Sequence, residues 1–257
     1  MTVETQSPGP VREDAHAVVY FVSDIHLGGS SPSGEATKRE RFEALLDRVA
    51  AENGALYILG DLFDFWFEYH TVMPRTAFGI LARIDSLARA GTPVHYLGGN
   101  HDFWMMDFLA RETAIQVLAD GTTLRAQGRT ARLFHGDGLG PGDTGYKVLK
   151  KILRNRVAIW LFRWIHPDLG IPFALRSSGV SRDHTANLDV DVEGIYRTVA
   201  VPEFKAGAQA VLMGHHHVPV HLQRDEGELL ILGDWFSRYT CVRLRDGAFE
   251  LLTWPLT

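Results

Sequence analysis

Val18-Val19-Tyr20-Phe21-Val22-Ser23-Asp24-Ile25-His26 is the stretch that decides the architecture. Val18 to Val22 is an unbroken β-branched and aromatic run bounded by a loop, which is the length and composition of a buried strand. A glycine- and serine-rich loop follows, then an amphipathic stretch from Lys38 to Ala51, so the unit reads strand, loop, helix. It recurs with Ala55 to Leu59 leading to a helix near Arg75 to Ala90, and with Pro93 to Leu97 leading to one near Trp104 to Arg111. Alternation of this kind predicts an α/β fold. Short strands are expected next at Thr122 to Ala126 and Ala131 to Phe134. After a helical insert come Gln209 to Met213, Pro219 to Leu222, Leu229 to Leu232, Tyr239 to Leu244 and Phe249 to Leu252.

With 257 residues, 46% of them hydrophobic, the chain is sized for one large core. Residues 1–16 hold Pro8 and Pro10 among charged side chains and no apolar run, which predicts a disordered start before a single domain over 17–257. The 26 basic and 31 acidic side chains leave a net charge of −5, so the molecule as a whole has no electrostatic reason to seek nucleic acid. The single cysteine, Cys241, excludes an internal disulfide and a thiolate zinc knuckle, and suits the cytoplasm. No segment reaches the run of about 18 apolar residues that spans a bilayer.

Positive charge is concentrated between Asp143 and Arg182. There Lys147, Lys150, Lys151, Arg154, Arg156, Arg163, Arg176 and Arg182 face only Asp143 and Asp168. Apolar residues such as Ile152, Val157, Trp160, Leu161, Trp164 and Ile165 are interleaved at helical spacing. A helical cap over about 143–200 is expected, and its composition suits a lid or an element lying on a membrane surface. A hairpin whose apolar face packs on the main core is the alternative.

Five short motifs stand where a loop leaves a predicted strand: Asp24-Ile25-His26, Gly60-Asp61-Leu62-Phe63-Asp64, Gly99-Asn100-His101-Asp102, His135-Gly136-Asp137 and Gly214-His215-His216-His217. Open α/β sheets build sites at the carboxyl ends of their strands. Singly each motif is weak: Asp14-Ala15-His16 repeats the first with no strand before it, and Gly-Asp and Gly-Asn are common turns. Together they supply oxygen and imidazole donors after successive strands, a set that divalent cations accept. His215 and His217 share a side in an extended segment, whereas His216 points away.

This set resembles the calcineurin-like metallophosphoesterase family, whose pattern is D-x-H, G-D-x-x-D, G-N-H-D/E, H and G-H-x-H, over Val18 to about His217. The resemblance implies a four-layer α-β-β-α sandwich with a helical insertion, two divalent cations and hydrolysis of a phosphoester. It implies one cation on Asp24, His26, Asp61 and His217, and another on Asp61, Asn100, His135 and His215. His101 is similar to the family histidine that stabilises or protonates the leaving oxygen, and Asp64 to the carboxylate that orients it.

The insert, with Gly142-Asp143-Thr144-Gly145-Tyr146-Lys147 and later Ser181-Arg182, further resembles the UDP-2,3-diacylglucosamine pyrophosphohydrolases of lipid A biosynthesis. That implies a lipid-linked nucleotide sugar as substrate, release of UMP, manganese, and contact with the anionic cytoplasmic face of the inner membrane. Asp143 and Tyr146 would meet the glucosamine, Ser181 and Arg182 a phosphate, with Asn100, His101 and His215 also touching substrate. One departure is His101, where many members of that family have arginine. A soluble nucleotide phosphodiesterase, a protein phosphatase of the same family and a non-catalytic metal-binding scaffold stay open. Retention of His101 and Asp64, which no structural metal requires, weighs against the scaffold.

Overall fold

The computed structural model describes residues 10–13, 15–105, 107–140, 150–185 and 190–255. Within them the alternating units build two six-stranded sheets. The first runs β12-β11-β2-β3-β4-β5, formed by β2 (Val18–Val22), β3 (Ala55–Leu59), β4 (Val94–Leu97), β5 (Gln116–Leu118), β11 (Thr240–Arg245) and β12 (Ala248–Thr253). The second runs β1-β6-β7-β8-β10-β9, formed by β1 (Val11–Arg12), β6 (Thr122–Ala126), β7 (Arg129–Phe134), β8 (Ala210–Met213), β9 (Pro219–Arg224) and β10 (Gly227–Leu232). Strands β2 to β4 are parallel, with Val19 opposite Ala55 and Leu56 opposite Val94, and β7 is parallel to β8.

Because both faces of β2 and β3 are covered, their residues are apolar without alternation. Val19, Phe21, Tyr57 and Leu59 pack between the sheets against Leu124, Leu133, Leu212 and Leu230. Val18, Tyr20, Val22 and Ile58 point the other way, onto Phe42, Leu45 and Val49 of α1 (Pro32–Ala51) and Ile80 and Ile84 of α2 (Phe78–Arg89). On the far side, Val211, Met213, Leu229 and Ile231 meet Ile195, Tyr196 and Val199. The layers are therefore α-β-β-α.

Several boundaries differ from expectation for local reasons. Helix α1 starts at Pro32, well before Lys38, because Ser31 caps it by accepting from Gly34 N at 3.4 Å and proline suits a first turn. Helix α3 (Phe108–Glu112) starts later than Trp104, which is held in a bridge with Phe67. Strand β1 lies within the start expected to be disordered, pairing in parallel with β6 and burying Glu13 behind it; residues 1–9 and 14 lie outside the described residues.

The insert between β7 and β8, the segment expected as a cap, contains α4 (Arg156–Arg163) and α5 (Pro167–Thr185). Val157, Trp160, Leu161 and Trp164 fall at i, i+3, i+4 and i+7 and are between 55% and 76% exposed, so this apolar stripe faces solvent. Phe162, on another face, packs 5.2 Å from Trp104 and 4.7 Å from Phe67 between ring centroids and seats the cap on the sandwich. Residues from Val192 onward, partly counted with the cap in the sequence reading, form α6 (Val192–Ile195), a π-type turn and α7 (Val201–Lys205), and α6 with the π turn packs on the second sheet instead.

Candidate metal centre

Each motif begins where one of five parallel strands ends: Asp24 and His26 after β2, Asp61 and Asp64 after β3, Asn100 and His101 after β4, His135 after β7, His215 and His217 after β8. Three turns come from one sheet and two from the other. Asp24, His26, Asp61, His215 and His217 have φ of 55°, 48°, 53°, 69° and 56°, a left-handed backbone that side chains rarely adopt. Such conformations cost of order 1–3 kcal/mol each and persist where the surroundings over-determine them. Here the turns bond to one another, Asp24 N to Gly60 O at 3.2 Å and His26 N to Asp61 O at 2.9 Å. The turns also pack so closely that a Cβ on Gly99 would collide with Asp61, and one on Gly214 with Ser23 and Asp24.

Both aspartates are fixed through one oxygen. Asp24 Oδ2 accepts from Ser23 Oγ at 2.5 Å and His215 N at 2.8 Å, and Asp61 Oδ1 accepts from His101 N at 2.9 Å. Their other oxygens, Asp24 Oδ1 and Asp61 Oδ2, are buried and accept no hydrogen bond among the described residues. Nitrogens surround them: His217 Nε2 is 3.2 Å and His26 Nε2 3.8 Å from Asp24 Oδ1, while His135 Nε2 is 3.4 Å and His26 Nε2 3.7 Å from Asp61 Oδ2. Asn100 Oδ1 lies 3.0 Å from His135 Nε2 and 2.9 Å from His215 Nδ1.

Proton placement says what this cluster wants. His135 Nδ1 is 2.9 Å from the carbonyl of Leu59, which can only accept, so Nδ1 carries a hydrogen and Nε2 is the atom that faces the oxygens of Asn100 and Asp61. Burial opposes charge on His135, yet Asp61 and Asp24 raise its pKa well above the ordinary imidazole value, so positive charge is drawn to these oxygens, as a proton or as a metal cation. Burial alone would suppress charge on His26, yet Asp24, Asp64 and Asp61 outweigh it and raise its pKa to about 9. Burial likewise opposes ionisation of Asp24, but the imidazoles of His217 and His26 hold it well below the usual carboxylate range. The donor set, one free carboxylate oxygen on each aspartate with imidazole and amide donors, fits divalent cations. Asp24, His26 and His217 form one cluster of converging ligand atoms and Asp61, His135 and His215 another, with His26, Asp61 and His101 between them; His216 enters none.

The sequence reading gave the Asp64 carboxylate to His101. The structure sets the backbone carbonyl of Asp64 2.9 Å from His101 Nδ1 and its carboxylate Oδ1 3.3 Å from His26 Nδ1, so that the carboxylate's charge acts on both rings. Burial lowers the pKa of His101, with Asp61 the main opposing charge. Asp102 was quoted in a motif but given no role. It is fully buried and accepts from the backbone of Gly99 at 2.7 Å and Leu62 at 2.8 Å, and from the hydroxyl of Tyr96, so it ties the Asn100 turn to the Asp61 turn.

Asp143 and Tyr146 lie outside the described residues, and Ser181 and Arg182 fall on α5. The cap reaches the centre's edge through Lys150 Nζ, 2.7 Å from Asp137 Oδ2. A cavity of about 360 Å³ opens between Arg154 and Ile159 of the cap and Asp102 of the third motif, walled by Phe103, Met105 and Leu118. No helix among the described residues is long and apolar enough to cross a membrane.

A family model described as calcineurin-like phosphoesterase matches residues 17–219. The UDP-2,3-diacylglucosamine hydrolase of Porphyromonas gingivalis is 34% identical over 252 residues, 91% of this chain and 96% of that protein. Proteins of the same name from Vibrio vulnificus and Pseudomonas entomophila are each 28% identical, over 90% and 91% of this chain and 95% and 98% of theirs.

Proposed function

The chain belongs to the calcineurin-like phosphoesterase family, and on that premise we propose that it hydrolyses the pyrophosphate bond of UDP-2,3-diacylglucosamine to UMP and 2,3-diacylglucosamine 1-phosphate. The observation that carries the substrate is the length of the match. A relative named for that hydrolase aligns over 91% of the chain, a span that cannot leave the cap out.

One divalent cation would be held by Asp24, His26, Asp61 and His217, the other by Asp61, Asn100, His135 and His215; manganese is the ion we expect. Such a pair neutralises phosphoryl oxygens and lowers the pKa of water enough to make a nucleophile near neutral pH. The chain's own groups do the rest. With Nδ1–H donated to the Asp64 carbonyl, His101 has only Nε2 with which to take up or give a proton, and this is where the leaving oxygen is met. The Asp64 carboxylate steadies the His26 ring from behind, as outer carboxylates do for ligating imidazoles. The cavity beneath the cap is mixed: its side of Phe103, Met105, Val117, Leu118 and Ile159 suits an acyl chain, each buried CH₂ contributing about 0.8 kcal/mol, while Asp102, Asp120, Asp137 and Arg154 make the rest polar. The outward stripe of α4, with Arg154, Arg156 and Arg163 nearby, suits peripheral binding to the anionic cytoplasmic face of the inner membrane.

Mass spectrometry of the products formed from UDP-2,3-diacylglucosamine in Mn²⁺ tests the proposal. UMP and the lipid 1-phosphate are expected in equal amounts. Cleavage of bis(p-nitrophenyl) phosphate with the lipid nucleotide left intact would overturn the substrate and leave a soluble phosphodiesterase.

A further inference from the structure

Helix α1 places a charge where its pattern asks for an apolar side chain. Its buried stripe runs Lys38, Phe42, Leu45, Leu46 and Val49, and Lys38 has no exposed surface at all. Taking an ammonium out of water costs several kcal/mol, so a lysine there needs a partner that makes the burial worthwhile. Its Nζ lies 2.5 Å from the backbone carbonyl of His26 and 3.2 Å from Glu35 Oε2, one turn back on the same helix. The other Glu35 oxygen, Oε1, accepts from Gly28 N at 2.9 Å. Two side chains of α1 thus grip both ends of the His26 to Gly28 turn, where His26 has φ 48° and Gly28 φ 93°.

The grip acts mainly on one of the two clusters. Fixing the His26 carbonyl fixes its peptide plane and hence the direction of its ring, whose Nε2 lies 3.3 Å from His217 Nε2. In the other cluster, His135 is oriented by the Leu59 carbonyl, and both His135 and His215 meet Asn100. We propose that Lys38, with Glu35, is a positioning residue that holds the left-handed turn of His26 and thereby sets chiefly the affinity of the cation position of Asp24, His26 and His217. This rests on the two-cation reading above. Methionine at position 38 keeps length and apolarity but donates nothing, leaving the His26 carbonyl to the weaker bond from Gly29 N at 3.2 Å and the strained turn with one restraint fewer.

The test is Mn²⁺ binding by the full-length, chelator-stripped protein, followed by isothermal calorimetry and by the electron paramagnetic resonance of free Mn²⁺. The unaltered chain should bind two ions. Lys38→Met should weaken one position by about 10–100-fold, the usual consequence of losing an outer partner of a ligand, and the other far less. Equal weakening of both positions, or of neither, would overturn the proposal. Glu35→Gln keeps the ammonium and carries the test if Lys38→Met does not fold: a smaller weakening of the same position is expected, and wild-type affinity at both positions sinks the idea. Fewer than two ions on the unaltered chain would instead remove the two-cation reading itself.

Discussion

Asp61 and His101 are joined twice, through the amide of His101 on Asp61 Oδ1 and through the approach of the His101 ring to Oδ2 at 3.9 Å. Their removal should nevertheless fail in different ways. Asp61→Ala takes away the carboxylate common to both proposed cation positions, and no turnover above background is expected. His101→Ala removes only a proton carrier, and a loss of about 10²–10⁴-fold in kcat is expected with cation binding retained. Steady-state kinetics with metal analysis of each variant check this, and full activity in either would refute the assigned role. At this scale the sequence was informative wherever a residue type is tied to chemistry, which is why the convergence of Asp24, Asn100, His135 and His217 with their neighbours could be anticipated. It was uninformative about Asp102 and the carbonyl of Asp64, because bonds to backbone groups leave no spacing to read.

Helix α4 shows what an element can hide. Its periodicity announced an amphipathic helix, but periodicity is silent on whether the apolar side turns inward, and here Val157, Trp160, Leu161 and Trp164 turn outward. Burying one large apolar side chain contributes about 1.5–3 kcal/mol. Trp160→Asp and Trp164→Asp should therefore each lower partitioning onto vesicles containing phosphatidylglycerol by about tenfold or more, in a sedimentation assay. Turnover of the diacyl substrate should fall with it while cleavage of bis(p-nitrophenyl) phosphate does not, and equal losses on the two substrates would refute a lipid-facing stripe. Strands β2 and β3 were read to the residue because both faces are apolar. The start of α1 was read late because its signal is a serine cap and a proline, not a periodicity.

Across the whole molecule, Glu52 closes the end of α1 onto the first sheet, accepting from the hydroxyl of Tyr20 on β2 at 2.9 Å and from Arg245 on β11 at 2.8 Å. Burial opposes its charge, but Tyr20, Arg245 and Arg48 together pull its pKa below the ordinary value. A carboxylate depressed in the fold contributes stability that is fully present above its unfolded value of about 4.3 and is lost as pH falls through the folded value. Glu52→Gln should therefore be destabilised relative to the native chain at pH 7 in urea titrations, and the difference should close toward pH 3; a pH-independent difference would argue against the ionic origin. The α/β class was legible from strand and helix alternation, whereas the two packed sheets were legible only through the family resemblance, since the core between them gathers residues as far apart in the chain as Val19 and Leu212. The turns that meet at the centre are drawn from both sheets, and that origin has a mechanical consequence. Ions lodged there would act as rivets resisting shear of one sheet over the other. Amide hydrogen exchange should slow together at the carboxyl ends of β2, β3, β4, β7 and β8 when Mn²⁺ is added, and protection confined to one sheet would show that the load is not shared.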